Sequence, residues 1–132
     1  MDIMIDTNII ISAALFPNHR MSRFLFLVSE ENNLFICSYT FEEIERVVLR
    51  KFPLKEHDII VFFRRLRYTR IDTPNVDILG EITVRDSKDN PILASAIFAN
   101  ADILITGDRD FDTLNLERPK IMNISEYIEK YG

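Results

Sequence analysis

Three short stretches of the chain are apolar without a break: Ile3-Met4-Ile5, Leu34-Phe35-Ile36-Cys37 and Ile103-Leu104-Ile105. A strand with one wet face would alternate apolar and polar residues, so these runs predict strands buried on both faces, as in a parallel sheet. Between them the apolar spacing turns helical. Ile9 to Phe16 predicts a short apolar helix broken by Pro17, and Ser22 predicts the N-cap of a helix from Arg23 to about Glu31 with Phe24, Leu27 and Val28 on one face. Thr40 predicts the next cap, with Glu43 as its capping-box partner, and Phe41, Ile44, Val48 and Phe52 form the buried stripe of that helix up to Pro53. Lys55 to Tyr68 predicts another amphipathic helix, burying Ile59, Phe62, Phe63 and Leu66. Residues 71–84 read as irregular, with short edge-strand pieces. Asn90-Pro91 then opens a helix carrying Ala94, Ala96, Ala99 and Ala101. A strand near Lys120–Met122 and a helix from about Ser125 to Lys130 complete the chain. Strands alternating with helices are βαβ units, which predicts an α/β fold around a parallel sheet.

Composition narrows this picture. At 132 residues, 47% apolar and 28% charged, the chain is expected to be one globular domain, residues 1–132, with a real core. The longest nearly apolar run, Ile9 to Phe16, is too short to span a bilayer, so no membrane association is expected. Met1 leads almost directly into core sequence, so no signal peptide is expected, and the lone Cys37 suits a reducing cytoplasm. The net charge of −5 counts against a nucleic-acid binder, unless clustered carboxylates are neutralised by a divalent cation.

Candidate chemistry gathers where the apolar strands stop. Two of them end in acid, Ile5-Asp6 and Ile105-Thr106-Gly107-Asp108. In a parallel sheet both ends lie on the carboxyl edge, where ligands bind. Asp89 stands just ahead of a helix start that opens at the same edge, and Glu43 lies in the first turn of the helix after the second strand. Glu45 flanks the other side of that helix's apolar stripe and is less well placed. Asp6 has a second reading as a helix cap, which its own stretch alone favours. Four neighbouring carboxylates would repel and raise one another's pKa unless a cation sat among them. Oxygen-only donors suit Mg²⁺ or Mn²⁺, with phosphate completing the shell, which points to metal-dependent phosphodiester chemistry. The most basic stretch, with Arg64, Arg65, Arg67 and Arg70, is a candidate RNA-phosphate patch, although arginines that fan around a helix also fit an ordinary wet face. Glu42 and Arg46 read as a solvated i,i+4 pair. His19 and His57 are isolated, and one cysteine cannot complete a zinc site with them.

In this order and spacing, Ile5-Asp6-Thr7-Asn8 with Ser12-Ala13, Ser38 to Leu49 with Glu43-Ile44, Asp89-Asn90-Pro91-Ile92-Leu93-Ala94-Ser95-Ala96 and Ala101 to Phe111 resemble a PIN-domain nuclease of the VapC-toxin type, nearly end to end. The resemblance implies a three-layer fold with a five-stranded parallel sheet between helices. It also implies cleavage of single-stranded RNA with Mg²⁺ or Mn²⁺, leaving a 5′-phosphate. By the same resemblance the acidic ligands are Asp6, Glu43, Asp89 and Asp108, with Asp110 a fifth candidate and Asp86 second to Asp89. Thr7, Asn8 and Thr106 would orient them or bind water. Many toxins of the family carry Asn where this chain has Asp108, and the extra charge should strengthen metal binding. An antitoxin partner and a homodimer are further implications, with Phe62/Phe63 as a candidate contact unless, as is commoner for such aromatics, they are core. Two other readings compete. A non-catalytic RNA-binding or scaffold module would keep the fold. An aspartyl-phosphate phosphatase or receiver domain would need a second Asp where Asn8 stands, or a lysine near Thr106-Gly107-Asp108.

Overall fold

The computed structural model describes residues 1–16, 20–82, 89–108, 111, 114 and 116–132. Five strands, β1 (Asp2–Ile5), β2 (Asn33–Cys37), β3 (Thr69–Ile71), β4 (Ile103–Ile105) and β5 (Lys120–Met122), form one sheet in the order β3-β2-β1-β4-β5, every pair parallel. The helices are α1 (Thr7–Leu15), α2 (Arg20–Glu31), α3 (Ser38–Lys51), α4 (Glu56–Arg65), α5 (Asn90–Phe98) and α6 (Ile124–Tyr131). The expected three layers are present because the unbroken apolar strands have two faces to bury. Ile3, Ile5, Ile36, Ile103 and Ile105 pack with residues of α1 to α4 and α6. Met4, Cys37 and Leu104 point the other way, onto α5, Leu79 and Phe111. The small side chains of Ala94 and Ala96 let α5 lie close against that second face.

Several boundaries depart from the sequence reading. α2 begins at Arg20, so Ser22 is not its cap but a buried residue of its first turn. α3 starts at Ser38, directly after β2, which moves Thr40 inside the helix and releases it from capping. α4 stops at Arg65, and the edge strand β3 follows Tyr68, overlapping the segment read as irregular only at Ile71. α5 ends at Phe98, so Ala99 and Ala101 lie beyond it. Phe62 is core, with Phe26 edge-on at 5.6 Å, and only Phe63 is partly open, which removes Phe62 as a dimer contact. In each case tertiary packing outweighed a local capping or periodicity signal.

Because Leu104 is wholly enclosed at the centre of the sheet, Leu104→Ala should lower unfolding stability by about 2–5 kcal/mol. Leu54→Ala, at a side chain 96% exposed, should change it by less than about 0.5 kcal/mol, both read from urea denaturation.

Candidate active site

Strand order reverses between β1 and β4, the point in an open parallel sheet where a crevice forms beyond the carboxyl ends. Ile5 pairs with Ile105 there, and the ladder continues one step further, the Asp6 N–H donating to the Ile105 carbonyl at 3.1 Å and the Thr106 N–H to the Met122 carbonyl at 3.0 Å. Asp6 and Thr106 therefore leave the sheet side by side, and Asp108 follows two residues on.

The Asp6 carboxylate is almost fully enclosed, 4% exposed, and both of its oxygens are engaged. Oδ1 accepts the Ile9 N–H at 3.0 Å and caps α1, while Oδ2 accepts the Thr106 hydroxyl. Thr106 Oγ1 in turn accepts the Asp108 N–H at 3.0 Å. Cap and site residue are thus the same side chain, one oxygen for each task. Burial pushes the Asp6 carboxyl above its ordinary 3.8 and the charge of Asp108 adds to the rise, against hydrogen bonds from Thr106, Ile9 and the Gly107 backbone. Asp6, Asn8, Ser12, Met21, Gly107 and Asp108 line an open cleft of about 250 Å³.

Glu43 and Asp89 are carried by α3 and the start of α5. The Thr7 hydroxyl lies 2.7 Å from Glu43 Oε1 and 3.0 Å from Thr40 Oγ1. A hydroxyl has one proton, and the carboxylate is the stronger acceptor, so Thr7 donates to Glu43 and accepts from Thr40. Cys37 Sγ, 3.4 Å from Thr40, stands at the head of this buried chain. Asp89 occupies the N-cap position of α5, but its side chain makes no capping bond. The Tyr39 phenol is pushed above its ordinary 10.0 by burial first and then by the charges of Glu43 and Asp89, with Arg46 opposing. The relative placement of α3 and α5 is set by Thr73, whose hydroxyl accepts the Tyr39 N–H at 3.0 Å and lies 3.1 Å from Ser38 Oγ and 3.2 Å from Ser95 Oγ.

Of the four expected carboxylates, Asp6 and Asp108 share the cleft, Glu43 is joined to that group through Thr7, the residue after Asp6, and the charges of Glu43 and Asp89 both act on Tyr39. Among the described residues no three acidic, histidine or cysteine side chains stand close enough to hold an ion as placed. Asp86, Asp110 and His19 lie outside the described residues. Asn8 is exposed on the cleft wall, and the Thr7 and Thr106 hydroxyls are hydrogen-bonded to the Glu43 and Asp6 carboxylates. Glu45 is exposed on the other flank of α3, along an apolar groove with Leu49 and Ile60. Arg64, Arg65, Arg67 and Arg70 are all exposed; Arg70 is paired with Asp72 at 3.8 Å and lies over the Phe41 ring at 5.2 Å. Sequence reasoning missed Tyr39, Thr40 and Thr73, and it placed Arg46 in a surface pair where the structure puts it 5.8 Å from the centroid of the Tyr39 ring. The i,i+7 spacing of Tyr39 and Arg46 was the available signal; Thr73 carries none.

No curated protein matches the sequence. Eleven chains of solved structures match the fold, among them a chain of VapBC2 from Rickettsia felis, a complex bound to a DNA fragment from their promoter. The TM-score is 0.72 and the identity 23%, over 93% of this chain and 98% of that one, a likeness of fold. The PIN domain family profile matches residues 2–110, which runs from β1 past Asp108 and takes in all four carboxylates. The chain belongs to the PIN domain family.

Proposed function

We propose that this PIN-domain chain is a metal-dependent endoribonuclease of the cytoplasm, hydrolysing phosphodiester bonds of single-stranded RNA with Mg²⁺ or Mn²⁺, and that it is the toxin of a toxin–antitoxin pair. The observation that carries this reading is the enclosed Asp6 carboxylate, held ionisable beside Asp108 at the mouth of a cleft although burial disfavours its charge. Such an arrangement lowers stability unless a cation offsets it. The donor set fits a hard divalent ion, being all oxygen: Asp6, Asp108, Glu43 and Asp89. Bound there, the ion would supply a Lewis acid for the phosphoryl oxygens and for the attacking water.

The chain's own groups orient and exclude. Thr106 and the Ile9 N–H fix the Asp6 carboxylate, so it presents one geometry to the cleft. Thr7 does the same for Glu43. The similarity in fold to a chain of VapBC2 supports the proposal of an antitoxin, whose segment would cover the cleft; relief of toxicity by co-expression of the neighbouring gene tests that part. A non-catalytic RNA-binding module is the second reading, favoured because no three of the carboxylates close on one point among the described residues. Binding of RNA without cleavage at saturating Mn²⁺ would select it.

Asp6→Asn should reduce cleavage of a single-stranded oligoribonucleotide by about 10³-fold or more, equivalent to roughly 4 kcal/mol in the barrier. Excess EDTA should abolish cleavage by the wild type, and Mn²⁺ should restore it. Full activity of the variant, or of the wild type in EDTA, would rule the mechanism out. The same variant should be more stable. An aspartate whose folded pKa is raised holds its proton more readily when folded, so ionising it at neutral pH lowers stability, and that loss fades as pH falls through the raised value. In EDTA, Asp6→Asn should therefore melt about 2–6 °C above the wild type at pH 7, with the gap narrowing on acidification. The amide can still accept the Ile9 N–H.

Thr7→Val keeps the shape of the side chain but removes the donor to Glu43. Its activity should fall about 10–100-fold, the usual cost of losing a group that orients a ligand, with circular dichroism unchanged.

A further inference from the structure

We propose that single-stranded RNA approaches the acidic cleft along α3, with its phosphates held by Arg46 and Arg50 and the Arg46 guanidinium positioned by Tyr39. The inference rests on the nuclease reading for its substrate class but on separate residues for its geometry. Tyr39, Glu43, Arg46 and Arg50 follow one another at steps of four, three and four, which at 3.6 residues per turn confines them to a sector of about 60° on one side of the helix. With Val47 they line a shallow cavity of about 180 Å³. One end of this stripe belongs to the site, since Glu43 is tied to Thr7, the residue after Asp6. The other end runs outward to Arg50 in the last turn of α3.

Three features select these arginines over the other cations. Arg46 lies 5.8 Å from the centroid of the Tyr39 ring and is hydrogen-bonded to its phenol, which together position the guanidinium, and its five N–H donors leave others for a phosphate. Neither Arg46 nor Arg50 takes part in an ion pair among the described residues, whereas Arg70 is paired with Asp72 and Arg118 with Asp102. Arg46 and Arg50 are one turn apart, about 6 Å along the axis, a step of one nucleotide in an extended strand. Arg64 and Arg65, by contrast, are consecutive on α4 and point about 100° apart. The stripe also answers the net charge of −5: an acidic protein can hold a polyanion where its cations stand together at the rim of the site.

The test measures binding of a fluorescent single-stranded oligoribonucleotide in EDTA, from about 50 to 200 mM salt, together with cleavage kinetics in Mn²⁺. Arg46→Ala/Arg50→Ala should weaken binding about tenfold or more and flatten the salt slope by about 0.7 for each phosphate that is no longer neutralised. In cleavage it should raise KM about tenfold, with kcat within about twofold. Tyr39→Ala should raise KM by a smaller factor, and Tyr39→Phe, which keeps the ring but not the hydroxyl, should restore it in part. Arg23→Ala, which removes one positive charge on α2, should leave both readouts unchanged. The proposal is overturned if the double variant binds with wild-type affinity and slope, if the loss falls on Arg64→Ala and Arg65→Ala instead, or if the wild type binds no single-stranded RNA. Should the wild type bind with the expected dependence on Arg46 and Arg50 yet cleave nothing, the track stands and the nuclease reading fails.

Discussion

The alignment of β1 with β4 is the constraint on which the rest of the molecule depends. Ile5 is opposite Ile105, and the next rung joins the Asp6 N–H to the Ile105 carbonyl. A slip of one residue would turn every side chain of β4 to the opposite face, exchanging Ile103 and Ile105 for Leu104 between two different sets of helices. It would also move Thr106 away from Asp6, and with it the hydroxyl that holds one carboxylate oxygen and the backbone turn that carries Asp108. Core packing on both faces thus specifies the geometry of the acidic cleft, and Ile9 belongs to both, a core residue that also lines the cleft.

Asp6 shows how stability and chemistry compete at one position. A carboxylate almost sealed from water, with another charge nearby, is a poor choice for folding alone. Part of the loss is recovered locally, because Oδ1 satisfies the first turn of α1 and Oδ2 receives a hydroxyl. Neither bond needs a full negative charge, since an amide or a protonated acid could accept the same N–H. The charge itself has no structural employment, which is the reason to assign it a chemical one.

Much of this was legible in the chain. The apolar triplets Ile3–Ile5 and Ile103–Ile105 could bury both faces only in a parallel sheet, and the acids at their ends then had to share an edge. Less readable was anything that depended on distance between helices. Thr40 looked like a cap because Ser, Thr and Glu at that spacing are the usual signal, yet α3 starts two residues earlier, without a linking loop. The hydroxyl this releases joins Cys37 and Thr7 in orienting Glu43, a role with no local signature. Thr73 was equally invisible: its contacts reach Ser38 and Ser95, more than twenty residues away in either direction. Sequence also suggested one group of four carboxylates, while among the described residues no three of them close on one point, since Glu43 and Asp89 are carried by α3 and the start of α5, whose positions β2 and Thr73 determine.

That arrangement bears on how a strand of RNA could be held at all. The floor of the site is negative, so a phosphate meets repulsion there until the carboxylates are neutralised. Affinity for the strand must then come from elsewhere, and exposed cations scattered over an acidic surface would give only weak, screened attraction. A cation standing immediately beside the floor is more useful, because at that distance salt screens its attraction for the phosphate least. Glu43 lies between Tyr39 and Arg46 on one face of α3, so the helix that carries the acid tied to Thr7 also carries the base. If RNA is bound as proposed, grip and chemistry on a single helix would keep their relative position through any shift of α3, which two separate elements could not do.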